Sequence, residues 1–139
     1  MSTAPAKPSH RRHPDRWLGL AAVFSGGLIG SAARSGIGMW GANPDGGFPT
    51  EILLVNLVGS FLLGLYLARR ERAVTGRGSV QFWAIGVFGS FTTFSAFSAD
   101  TVTMLDQGRF VATVVYVAAS LLGGLALALA GRRIGVVVW

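Results

Sequence analysis

Cysteine is missing from this chain of 139 residues. Its absence excludes a disulfide scaffold, a thiolate metal centre and a cysteine nucleophile, and it leaves the redox compartment unreadable. Histidine occurs only as His10 and His13, both in a polar N-terminal stretch, so a buried histidine-based catalytic site is excluded as well. Charge is scarce: 13% of residues are Asp, Glu, Lys or Arg, where an ordinary soluble protein has about 25%. Acids are the scarcer sign, 6 against 12 basic residues, for a net charge of +6. In a soluble domain that excess would suggest nucleic acid. Here the charges stand between long uncharged runs, which points to a bilayer and away from nucleic acid. The length allows one domain.

Four runs carry no Asp, Glu, Lys or Arg: residues 17–33, 52–68, 78–99 and 110–131. Each has 17 or 22 residues, and a membrane-crossing helix needs about 17–25. A soluble chain this short could not hide four such helices, because helices around a small core expose one face. The first run is expected to continue past Arg34 towards Trp40, which places Arg34 inside the first helix. Residues 1–16 are polar, with three prolines and no apolar periodicity, and read as a disordered basic tail. Asn43-Pro44-Asp45-Gly46-Gly47 is turn chemistry. Thr50 is positioned to cap the second helix, with Glu51 near its positive dipole end. Residues 69–77 read as a basic loop and residues 100–109 as an acidic-to-neutral one. The tail, the first run and Ser31-Ala32-Ala33 outline a cleavable signal, but the glycine register and three further runs favour a retained helix. The expected fold is all-α and transmembrane, with four spans over residues 17–133 and a C-terminal tail over 134–139.

Polar and small residues inside the runs are the informative ones, since a polar group in lipid needs a protein partner or water. Gly26 and Gly30 are four apart, a spacing that lets another helix approach closely. Arg34 follows one turn later and needs carbonyls, an acid, water or the interface. Asn56, Gly59, Ser60, Leu63 and Gly64 share a face of the second helix, and Thr113, Tyr116, Ser120, Gly123 and Gly124 share one of the fourth. Either stripe alone is packing or an interhelical hydrogen bond; two stripes of neutral donors suggest a pore wall. The third run reads Gly86-Val87-Phe88-Gly89-Ser90-Phe91-Thr92-Thr93-Phe94-Ser95-Ala96-Phe97-Ser98. Hydroxyl side chains compete for backbone carbonyls, so this composition points to a break near Gly89–Thr92, mid-membrane. The carbonyls and amides freed by such a break must line a cavity or bind an ion. Phe94 and Phe97 share a face, and their ring edges can meet an anion; on spacing alone they are core residues.

These pieces together resemble the CrcB/Fluc family of fluoride channels. Residues 26–34 resemble its GGxxGAxxR, residues 54–61 its LxVNxxGSF, residues 86–97 its GxxGxxTTFSTF, and Tyr116 to Ser120 its fourth helix. The resemblance implies a fluoride-specific channel that exports fluoride from the cytoplasm and so lowers its toxicity, built as an antiparallel dimer with two narrow pores. It puts Asn56, Phe94, Phe97, Ser120 and Tyr116 on the fluoride path and gives Gly26, Gly30 and Arg34 structural roles. It also implies a structural sodium ion, not transported, held by the backbone carbonyls of Gly89 and Thr92 from both subunits. The expected setting is a bacterial inner membrane. Three positions depart from the pattern: Ala96 for Ser/Thr, Ser35 for an aromatic, and Glu51 at a mouth position that is usually uncharged.

The chemistry agrees with the resemblance. Fluoride holds its water tightly, so a pore must offer donors and still release the ion. Neutral amide, hydroxyl and ring-edge groups do that, and carbonyl oxygens suit a hard cation. A small drug/proton antiporter is the main alternative, but it needs an intramembrane carboxylate, which the four uncharged runs lack. A non-transporting scaffold is the other. An enzyme is excluded for want of an intramembrane nucleophile–base pair. Ten of the 12 basic residues lie in the tail, in the loop between the second and third helices, and at Arg132 and Arg133. The positive-inside rule then makes both termini cytoplasmic. A fixed orientation of this kind favours a heterodimer with an oppositely inserted paralogue over an antiparallel homodimer.

Overall fold

The computed structural model describes residues 15–41, 47–72 and 76–138, and these are helices joined by short turns. Helix α1 is Asp15–Gly41, α2 Thr50–Arg72, α3 residues 77–91, α4 Phe94–Asp106 and α5 Phe110–Val138. Four stretches are long and apolar enough to cross a membrane: Arg16–Met39, Thr50–Glu71, Arg77–Asp106 and Phe110–Val138. Leu28, Val111, Val114 and Leu122 are exposed, as suits helices solvated by lipid rather than water.

Glycine decides which helices touch. A Cβ on Gly26 would strike the Phe82 carbonyl, and one on Gly30 the Val87 carbonyl; Gly86 faces Gly26 from the other side, its added Cβ 3.0 Å from that Cα. These contacts bring α1 against α3 with both chains running the same way. A second pair is built alike: an added Cβ on Gly124 would meet Ser60, one on Gly64 the Ala128 carbonyl and one on Gly135 the Ala68 side chain, contacts that advance together along both helices, so α2 and α5 also run parallel. Glu71 and Arg132 form an ion pair of 3.1 Å where the second pair ends. Both side chains are more than half exposed, so this pair adds little.

Several boundaries differ from the sequence reading. Asp15 and Arg16 already belong to α1, and α5 continues past Arg133 to Val138. Thr50 does not cap α2: the Pro49 carbonyl accepts from Leu53 N–H at 3.2 Å, which makes Thr50 the first helical residue. Residues 100–106 are not loop but the second half of α4. The hydroxyls of Ser98, Thr101 and Thr103 are absorbed by the carbonyls of Phe94, Phe97 and Ala99 and leave the helix intact. The stop comes later, at Gly108, whose φ of 71° places it in the left-handed region. Arg109 N–H then reaches back to the Met104 carbonyl at 2.9 Å and Gly108 N–H to that of Leu105 at 2.9 Å, a glycine-terminated cap. The tail over 1–14 and the turn at 43–46 lie outside the described residues.

Candidate functional site

Between α3 and α4 the backbone of Thr92 and Thr93 is extended, with ψ of 154° and 119°. A helix carried through this point would join Thr93 N–H to the Gly89 carbonyl. Instead, Thr93 N–H donates to Asn56 Oδ1 at 2.8 Å, and Asn56 Nδ2 donates to the Thr93 carbonyl at 3.1 Å. One amide side chain from α2 thus satisfies both backbone groups of Thr93. Ala96 N–H, the helical donor for the Thr92 carbonyl, goes to Thr93 Oγ1 at 3.2 Å. The carbonyl oxygens of Gly89 and Thr92 are both released from their helical donors.

Beside this point runs a groove of about 290 Å³. Asn56, Ser60 and Leu63 line it from α2, Ala84, Phe88 and Gly89 from α3, Thr92 and Thr93 from the extended pair, Phe94 and Phe97 from α4, and Ser120 and Leu121 from α5. None of these side chains is charged. Ser120 Oγ is buried without a hydrogen-bond partner among the described residues. The backbone widens into a π-helix over Gln81–Phe88 and again over Ala119–Gly123. Both widened segments contribute to the groove wall, the kind of place where π turns gather.

The structure therefore brings together Asn56, Phe94, Phe97, Ser120, Gly89 and Thr92. Phe94 is 77% exposed; its ring lies 5.6 Å from that of Phe97, which lies 5.3 Å from Tyr116. Tyr116 is fully buried behind the groove and does not line it. Its hydroxyl donates to Asp100 Oδ2 at 3.3 Å, and its ring meets Phe48 edge-on at 5.6 Å. Gly26 and Gly30 work in the α1–α3 contact. Arg34 lies within α1 as expected, half-buried, and among the described residues it forms no ion pair. Sequence reasoning missed Thr93 and Asp100. Thr93 stood within the motif but carried no chemistry of its own. The sequence reading places Asp100 in a loop, although Gly108 signals that the helix runs further.

The profile of the family described as CrcB-like protein, Camphor Resistance (CrcB), matches residues 21–132. The chain belongs to the CrcB-like family. Among its relatives, the "Fluoride-specific ion channel FluC" of Thermus thermophilus is 44% identical over 115 residues, covering 81% of this chain and 90% of the relative. The protein of the same name from Agrobacterium fabrum is 38% identical over 120 residues, covering 85% and 96%. "Fluoride-specific ion channel FluC 2" of Listeria innocua is 40% identical over 114 residues, covering 77% and 82%. By name these relatives are ion channels, not enzymes. This CrcB-like chain, with four helices fit to span a bilayer, is a multi-pass membrane protein, and its match takes in every residue of the groove.

Proposed function

We propose that the chain is a fluoride-specific channel of the cell membrane that lets fluoride leave the cytoplasm. The observation that carries this reading is the uncharged groove, in which neutral donors and aromatic edges stand together on a chain whose relatives are named for fluoride. Asn56 has one Nδ2 hydrogen engaged on Thr93, which leaves the other for an anion. Ser120 Oγ has no other partner among the described residues. The rings of Phe94 and Phe97 offer positive edges. None of these groups binds fluoride as a fixed cation would, so release stays easy. Tyr116 acts from behind, seating Phe97. The third span is then a helix broken mid-membrane at Thr92 and Thr93.

The reading includes an antiparallel dimer. Exposed Phe94 suits a surface completed by a second subunit. Released carbonyls on Gly89 and Thr92 fit a hard cation such as sodium, and two subunits would supply four such oxygens. The ion would hold the subunits together and would not be transported. Both termini are cytoplasmic in this scheme, and the strong charge bias favours a partner inserted the other way, a paralogue in preference to a second copy.

The deciding test is ion efflux from liposomes that contain only this protein. Fluoride should leave much faster than chloride. Equal rates, or no flux of either ion from well-folded protein, overturn the channel reading.

A further inference from the structure

Arg133 stands inside the last apolar stretch of α5. The helix runs on to Val138, and Ile134, Val136, Val137 and Val138 are all exposed, as is Leu129 one turn earlier. Arg133 is exposed as well. Its depth follows from the contact with α2. An added Cβ on Gly131 would meet the Phe61 carbonyl and one on Gly135 the Ala68 side chain. Arg133 lies between those two glycines, level with the apolar turn of α2 that precedes Arg69. A cation is thus set on the outer surface with apolar side chains before and after it.

The apolar residues beyond Arg133 carry the lipid layer towards the end of α5. Val138 lies about 7 Å further along the axis. The Cα–Cβ bonds of a helix tilt toward its N-terminus, so this side chain leaves α5 aimed into the lipid and must bend back to bring its charge to the headgroups. Arg133 lines a recess of about 240 Å³ with Ile134, Val137 and Val138, all further along the helix. Among the described residues no acid pairs with Arg133, whereas its neighbour Arg132 is held by Glu71. The same end carries Arg16, Arg70 and Arg77, all exposed. Contact of Gly19 with Gln81 sets Arg16 and Arg77 at about one level on α1 and α3. The acids of the described residues at this end are Asp15 and the paired Glu71.

We propose that Arg133 and this recess bind one anionic phospholipid, with the phosphate on the guanidinium and the first part of an acyl chain against Ile134, Val137 and Val138. A guanidinium offers paired donors that match two phosphate oxygens. The recess is apolar apart from Arg133, which suits a lipid chain and not a soluble anion. The surplus of arginine at this end selects a headgroup with net negative charge. A zwitterionic headgroup brings its own cation and gains less. Lipid binding here is independent of what the groove conducts.

The test is native mass spectrometry of the full chain from mixed micelles with equal phosphatidylglycerol and phosphatidylcholine, which counts the lipids retained. Wild type should keep phosphatidylglycerol in preference. Arg133→Gln should retain it about fivefold less, the effect of one arginine at a lipid surface. Arg133→Lys keeps the charge and should keep most of the preference. Equal retention by wild type and Arg133→Gln overturns the proposal, as does equal retention of the two lipids by wild type. Val137→Asn puts an amide where the acyl chain lies and should also weaken retention; a wild-type count there overturns the assignment of the recess. Glycerol phosphate in millimolar excess should leave the lipid in place, and displacement by it would reduce the site to a phosphate contact and overturn the lipid reading. A second copy of the chain is the rival occupant. The chain has no cysteine, so Val137→Cys in liposomes reports it. Disulfide-linked dimers, with lipid retention unchanged by Arg133→Gln, would give the recess to protein and overturn the proposal.

Discussion

Asn56 and Thr93, 37 residues apart, exchange two hydrogen bonds, the amide side chain accepting from the backbone N–H of Thr93 and donating to its carbonyl. An ionised carboxylate accepts only, and a hydroxyl is too short to span both backbone groups. Asn56→Asp should therefore lose the bond to the Thr93 carbonyl and place a charge against that oxygen. The expected cost is about 1–3 kcal/mol of stability, with fluoride flux abolished. Thermal unfolding in detergent and liposome efflux measure the two effects. Wild-type values in both would remove Asn56 from the clamp and from the path.

Phe94→Ile and Phe97→Ile keep apolar volume and remove the ring edge. Flux should drop by at least about tenfold in each, equivalent to about 1.4 kcal/mol of barrier. The proteins should still assemble, which size-exclusion profiles will report. If both conduct like wild type, the rings are packing residues and the groove is not the path.

Gly30→Ala drives a methyl into the Val87 carbonyl, whereas a Cβ on Gly36, on the same helix, meets nothing within 4 Å. Gly30→Ala should destabilise by about 1–3 kcal/mol through backbone displacement. Gly36→Ala should be neutral or stabilising by up to about 1 kcal/mol. Paired unfolding curves compare them, and equal stabilities would mean that α1 and α3 are not in close contact.

Replacing all sodium with a bulky organic cation should weaken the dimer or silence fluoride flux, with recovery when sodium returns. Radioactive sodium should not cross. Assembly and flux that survive exhaustive sodium removal would leave the Gly89 and Thr92 carbonyls without a cation to hold.

Because the chain has no cysteine, single cysteines placed in the N-terminal tail and between positions 41 and 49 can be labelled without background. In cells expressing this chain alone, an impermeant reagent should reach the second site and spare the first. Equal labelling of both would show insertion in two orientations and support an antiparallel homodimer.

The amino-acid sequence by itself determined the number of spans, because lipid demands long uncharged helices and this chain has four such runs. Glycine spacing within them marked the faces where helices close up, since a missing Cβ is a local property. The motif residues were likewise legible as a group. Tertiary structure decided what each one touches. Spacing says which face Asn56 occupies, but its partner is a backbone unit 37 residues away, and no periodicity encodes that distance. The same holds for Tyr116, which the resemblance puts on the path: only the fold shows that it is buried behind the groove and bonded to Asp100. The π-helical turns at Gln81–Phe88 and Ala119–Gly123 are visible only in the folded backbone; a widened turn leaves no residue-type signature. Glu51 and Asp100 look like unrelated charges at the ends of two runs, and they share a cavity only once α2 and α4 are folded side by side.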